Sequence, residues 1–169
     1  IRSCYDEGKR IAETLLMDYN RKYNLNISIV RIFNTYGPYM DKNDGRVITN
    51  LITQLLNNKD VTLYGDGSQT RAFLYIDDLI DGLMKAMNSN YTNPINIGST
   101  EEITINTLLS ILLKLIPQSA SKIKFLPLPE DDPTNRKPDI TLAKNILNWS
   151  PNITLKDGLL KTIDYLKQS

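Results

Sequence analysis

Along the chain, stretches with apolar residues at helical spacing alternate with short runs of β-branched and aromatic residues. From residue 3 to 23, Ile11, Ala12, Leu15, Leu16 and Tyr19 recur on one helical face, and Ser3 is placed to cap its start. Residues 25–33 read as a buried strand, because Ile27, Ile29, Val30, Ile32 and Phe33 are mostly β-branched or aromatic. Residues 34–44, punctuated by Gly37 and Pro38, predict a loop. Ile48, Leu51, Ile52, Leu55 and Leu56 then mark a second amphipathic helix.

Further on, residues 61–64 predict a short strand closed by the turn Gly65-Asp66-Gly67. Residues 72–76 predict another, running into Asp77, which reads with Asp78 as the capping region of a helix over 79–87. A strand over 94–97 ends at Gly98, and a helix over 104–116 carries a core stripe of Leu108, Leu109, Leu112 and Leu113. A strand at 122–126 leads into a loop, 127–138, that carries Glu130, Asp131, Asp132, Arg136 and Lys137. Helices over 140–147 and 155–166 follow. Strands alternating with helices predict an α/β fold, with no internal repeat.

Composition narrows the chemistry. At 169 residues, 41% hydrophobic and 23% charged, the chain has the size and balance of one globular unit. Twenty basic and nineteen acidic residues give a net charge of +1 without a basic stripe, so a nucleic-acid partner is not expected. No histidine is present, which excludes a Ser-His-Asp or Cys-His pair and any histidine-containing metal site. Proton transfer therefore falls to Tyr, Lys or carboxylates. The acidic run Glu130, Asp131, Asp132 reads as a solvated turn, and no metal is expected. The apolar stretch 108–116 is short and broken by Lys114, so no membrane contact is expected from this segment. A cytoplasmic protein is the expectation, and a lumenal one with an upstream anchor would read the same here. Nothing fits a glycine-rich dinucleotide turn with an acidic residue about 20 positions later. With Ile1 at its start, the chain reads as a fragment.

Tyr5 and Lys9 stand one helical turn apart and share a face. A tyrosine near pKa ~10 is a poor base at neutral pH, and a neighbouring ammonium favours its phenolate. This pair, within Arg2-Ser3-Cys4-Tyr5-Asp6-Glu7-Gly8-Lys9-Arg10, is followed by Arg31-Ile32-Phe33-Asn34-Thr35-Tyr36-Gly37-Pro38. Together they resemble the extended short-chain dehydrogenases. The segments Asp44-Gly45-Arg46-Val47, Tyr64-Gly65-Asp66-Gly67-Ser68-Gln69-Thr70-Arg71, Asp131-Asp132-Pro133, Arg136-Lys137-Pro138-Asp139-Ile140 and Trp149-Ser150-Pro151 narrow the resemblance to the UDP-glucuronate decarboxylase branch.

That resemblance implies that residues 1–169 are the C-terminal half of a Rossmann-type enzyme with a small substrate-binding subdomain, its NAD-binding N-terminal half lying outside the chain, with NAD as cofactor, a UDP-sugar as substrate and a homodimer in the full-length protein. It implies Tyr5 and Lys9 as the catalytic pair, Lys9 holding the nicotinamide ribose and lowering the Tyr5 pKa. Asn34 would contact the nucleotide sugar, Arg71 and Arg136 would clamp the diphosphate, and Arg136 would also serve the departing carboxylate or the enolate. Leu63 and Tyr64 would border the uracil, and Thr35 and Arg46 would lie on the cofactor side. The implied reaction is decarboxylation of UDP-glucuronate to UDP-xylose through a 4-keto intermediate, the chain alone being inactive. A 4,6-dehydratase or 4-epimerase of the same superfamily is the alternative enzyme. A non-catalytic nucleotide-sugar-binding module is the alternative of another class.

Overall fold

The computed structural model describes residues 3–128 and 137–168. It is α/β. Helix α1 (Ser3–Tyr23) runs to Asn24, whose left-handed φ of +51° ends it. Strands β1 (Val30–Ile32) and β2 (Thr35–Tyr36) follow, then α2 (Val47–Leu56), β3 (Val61–Tyr64), β4 (Thr70–Ala72), β5 (Leu74–Tyr75) and α3 (Ile76–Met87). The chain continues through β6 (Ile95–Ile97), β7 (Glu102–Thr104), α4 (Ile105–Leu115), β8 (Ile123–Leu126), α5 (Thr141–Leu147) and α6 (Leu155–Gln168).

The described strands form four two-stranded pairs: β1 with β6, β2 with β5 and β3 with β8 are parallel, and β4 with β7 is antiparallel. Between β1 and β2 the chain changes partner. The Phe33 N–H donates to the Ile97 carbonyl at 3.1 Å, and the Leu74 N–H donates to the Asn34 carbonyl at 2.8 Å. Asn34 therefore stands where the backbone crosses from one pair to the next, its main chain pinned by β5.

Two cores hold the body. In the first, α2, α4 and α6 close over β3 with Leu51, Ile52, Leu108, Leu112 and Leu159. Thr104 caps α4 by accepting from the Thr107 N–H at 3.0 Å. The second gathers β6, α3 and α5 around Trp149, with α3 close enough that a Cβ at Gly82 would stand 3.1 Å from the Trp149 Nε1. The indole Nε1–H donates to the Asp78 carbonyl at 3.0 Å.

Several expectations change. The stretch read as a buried strand over 25–33 is a strand only at Val30–Ile32, and Ile32 is 55% exposed. Ile32 lies on a face that opens into the concavities beside α1, and β1 pairs only with β6 among the described residues. The loop read over 34–44 begins with β2, and β7 was not anticipated; strands of two or three residues are specified by their partners more than by their own pattern. Helix α3 starts at Ile76, so Asp77 and Asp78 lie in its first turn instead of capping it, and Tyr75 at the cap makes no side-chain cap bond. The Asp78 carboxylate is buried and accepts from the N–H groups of Asn152 and Ile153 at 3.1 and 2.9 Å, fastening the turn before α6 to α3. Ser3 is already helical. Among the described residues no helix is long and apolar enough to cross a membrane.

Candidate active site

Tyr5 stands where two concavities meet. The first is a cleft of about 420 Å³ lined by Tyr5, Phe33, Asn34, Thr35, Met40, Arg46, Arg71 and Phe73, among others. The second is a groove of about 750 Å³ between α1 and β1, lined by Tyr5, Lys9, Glu13, Arg31 and Asn34, among others. Tyr5 and Asn34 belong to both.

Each side chain arrives by a local device. Tyr5 and Lys9 share a face of α1, with the Lys9 Nζ 5.5 Å from the centre of the Tyr5 ring. Helix α1 buries none of its residues, and Tyr5 is 60% exposed. A fork between α1 and β1 orients the helix: the Arg31 Nε and Nη2 donate to the two Glu13 carboxylate oxygens at 2.7 and 2.6 Å. Those hydrogen bonds hold the Glu13 carboxyl below its ordinary range and raise the Arg31 guanidinium above its own.

Asn34 is placed by the strand crossing. Thr35 donates its hydroxyl proton to the Phe33 carbonyl at 2.8 Å, which leaves its oxygen as an acceptor in the cleft. Arg46 precedes α2; its N–H donates to the Asp44 carboxylate at 2.9 Å, and its guanidinium lies 3.4 Å from the same carboxylate. Arg71 sits in β4, its Nη1 donating to the Thr70 carbonyl at 2.8 Å. The turn before β4 is fixed by Asp66, which accepts from the Ser68 hydroxyl and N–H; these bonds hold the Asp66 carboxyl below its usual range. A Cβ at Gly67 would collide with Asn106, whose amide donates to the Asp66 carbonyl at 2.9 Å. The Gly-Asp-Gly-Ser segment thus aims the strand that carries Arg71.

Of the residues singled out in the sequence, Tyr5, Asn34, Thr35, Arg46 and Arg71 meet in the cleft, and Lys9 joins Tyr5 in the groove. Thr35 and Arg46, expected on the cofactor side, line the cleft with Asn34 and Arg71 and do not line the groove that Lys9 and Asn34 share. Tyr64 is elsewhere, at the end of β3, with its carbonyl accepting from the Gln69 amide at 2.9 Å. Leu63 is buried in the first core, with no face for a base. Arg136 and the acidic run 130–132 lie outside the described residues. Sequence reasoning missed the apolar walls, chiefly Met40 and Phe73. Each is a single apolar residue in a loop or between two short strands, and only the fold brings it to the cleft.

The sequence profile of the NAD dependent epimerase/dehydratase family matches residues 1–98. UDP-glucuronic acid decarboxylase 4 of Arabidopsis thaliana is 50% identical over 159 residues, which are 94% of this chain and 36% of that protein. UDP-glucuronic acid decarboxylase 1 of Danio rerio is 48% identical over 99% of this chain and 40% of that protein. The chain thus spans well under half the length of these relatives. Among solved structures, UDP-glucuronic acid 4-epimerase from Bacillus cereus, in complex with UDP-glucuronic acid and NAD, matches with a TM-score of 0.84 and 35% identity over 92% of this chain and 50% of that one. UDP-glucose 4-epimerase from Thermotoga maritima, with UDP-glucose, matches with a TM-score of 0.87 and 28% identity over the same shares. With its alternating helices and strands, its Tyr5–Lys9 helix beside Asn34, and a profile match over more than half its length, the chain belongs to the NAD dependent epimerase/dehydratase family.

Proposed function

We propose that this chain is the part of an NAD-dependent UDP-glucuronate decarboxylase that carries the catalytic tyrosine and the substrate cleft, working within a longer protein. The observation that carries the reading is the meeting of Tyr5, Asn34, Arg46 and Arg71 in one cleft. These are an acid-base group, an amide and two guanidinium groups, the set needed for a sugar hydroxyl and a diphosphate.

The residues fit NAD on one side: Lys9 presents an ammonium to the groove beside the Tyr5 ring, where it would hold ribose hydroxyls. When bound, NAD would supply the hydride acceptor and donor for C4 of the sugar. Tyr5 would take the proton from the 4-hydroxyl and return it at the end of the cycle. With a ketone at C4, the C5–C6 bond can break: carbon dioxide leaves, and the electron pair is held as an enolate on the C4 oxygen until C5 is protonated. Asn34 would donate to a sugar or phosphate oxygen, and Arg46 and Arg71 would hold the diphosphate. Arg136 remains the proposed partner of the carboxylate. We place homodimer contacts of the longer protein on the exposed apolar stripe of α1.

The test is to incubate a longer protein carrying this chain with UDP-glucuronate and NAD. Carbon dioxide and UDP-xylose should form in equal amounts without accumulation of NADH. A 4-epimerised product with no carbon dioxide would replace the reading with an epimerase. Binding of UDP without either product would leave a binding module.

A further inference from the structure

One wall of the cleft is a loop, residues 37–46, that contains no helix or strand and yet supplies Met40 and Arg46. Its internal braces are local: Asp41 accepts from the Asn43 N–H at 2.8 Å, and Asp44 accepts from the Arg46 N–H at 2.9 Å. Such bonds shape a loop without fixing it to the body. The loop's far end is tied to α2, where the Asn50 amide donates to the Gly45 carbonyl at 3.0 Å, and its near end to α6, a helix that contributes no side chain to the cleft.

At the loop's entry, the buried Tyr36 phenol donates to the Leu155 carbonyl at 3.1 Å, at the first residue of α6. The contact is possible because Gly158 follows, where any Cβ would collide with the Tyr36 oxygen. Three residues on, Tyr39 has a left-handed φ of +67°, a conformation that a bulky side chain holds only where its surroundings keep it there. Burial does not keep it, since Tyr39 is 87% exposed. Its ring instead packs on Tyr165 of α6, centroid to centroid 4.9 Å at 50°. The next side chain goes the other way. Met40 packs on the first core, and its sulfur accepts from the Thr49 hydroxyl at 3.6 Å. The left-handed turn thus separates two consecutive side chains, one clamped on α6 and one forming cleft wall.

We infer that Tyr39 and Tyr165 are positioning residues: their stack latches the loop to α6 and sets where Met40 and Arg46 stand, a role that rests on the cleft being the nucleotide-sugar site.

Amide hydrogen exchange on this chain tests the latch. Tyr39→Gly removes the ring while accepting the left-handed φ, and Tyr165→Ala removes its partner. Each should speed exchange over residues 40–46 by about fivefold or more and leave α3 and α4 unchanged. Tyr165→Phe should keep the slow rate, because the stack needs no hydroxyl. Unchanged exchange in Tyr39→Gly overturns the latch even where Tyr165→Ala fails to fold. In the longer protein, Tyr39→Gly should raise the KM for UDP-glucuronate severalfold with kcat held within about twofold. Faster exchange with KM unaltered overturns the positioning role. Absence of turnover in the unsubstituted protein counts against the decarboxylase reading instead, and the exchange result still decides the latch.

Discussion

Helices α1 and α4 are both amphipathic, and they meet opposite fates. In α4, Leu108, Leu109 and Leu112 are buried against α2 and α6. In α1, Ile11, Leu15, Leu16, Tyr19 and Tyr23 stay largely exposed, and beside them Ile32 of β1 does too. The periodicity that makes α4 a core helix leaves α1 standing beside the body, held by the Glu13–Arg31 fork and by the Asn20 amide donating to the Leu25 carbonyl at 2.7 Å. Hydrophobic pattern thus says which face of an element wants cover, and the cover itself can come from elsewhere. The division follows function: the body carries stability, while α1 carries the proposed acid-base pair at the rim.

The largest effect expected from this division is on turnover. In a longer protein carrying this chain, Tyr5→Phe should lower kcat by about 10²–10⁴-fold, the range for a positioned acid-base group. UDP affinity should hold, and so should thermal stability, because the ring is exposed. A loss of stability together with activity would erase the contrast between rim and body. Turnover at the unsubstituted rate would remove Tyr5 from the mechanism.

The same truncation made in both helices sharpens the comparison. Leu108→Ala empties a fully buried site and should cost about 2–5 kcal/mol in urea unfolding. Leu15→Ala should change stability by about 0.5 kcal/mol or less, since its side chain is half exposed in this chain. Sedimentation should show less self-association for Leu15→Ala if the stripe is a subunit contact. Equal costs at the two sites would mean that α1 is covered in solution.

How much of this was legible in the sequence follows from the range of the contacts. The helices with a full apolar stripe, α2, α4 and α6, could be read directly, because their signal repeats every turn. Strands β2 and β7 could not, being two or three residues long and defined by partners far along the chain. The meeting of Tyr5, Asn34, Arg46 and Arg71 left no local trace either; family resemblance singled out each of them, with Arg46 expected on the cofactor side, and Met40 and Phe73 beside them were missed. Asp78 was misread for the same reason. As one of two acids ahead of a helical pattern it looked like a cap, whereas its partners are Asn152 and Ile153, more than seventy residues on. Asp78→Ala should therefore cost about 1–3 kcal/mol, the range for losing hydrogen bonds to a buried carboxylate, where loss of a surface cap would cost about 1. Urea unfolding followed by the Trp149 fluorescence reads the difference.

The smallest expected effect concerns the fork that orients α1. Arg31 holds the Glu13 carboxyl below its ordinary range in the folded chain. A lowered folded pKa means that the fork contributes fully above the unfolded carboxylate value, about 4.3, and is lost as pH falls through the lowered value. Both groups remain partly exposed, so the contribution should be about 1 kcal/mol or less and should shrink with added salt. Nuclear magnetic resonance of the Arg31 Nε–H reads the fork directly. Its signal should persist at neutral pH, broaden only below the ordinary carboxylate range as Glu13 takes up its proton, and be lost at every pH in Glu13→Gln. The amides of α4 should be insensitive to that substitution. If the Arg31 signal is indifferent to Glu13, something other than the fork sets the distance between the Tyr5 helix and β1, and the groove between them loses a charged hinge.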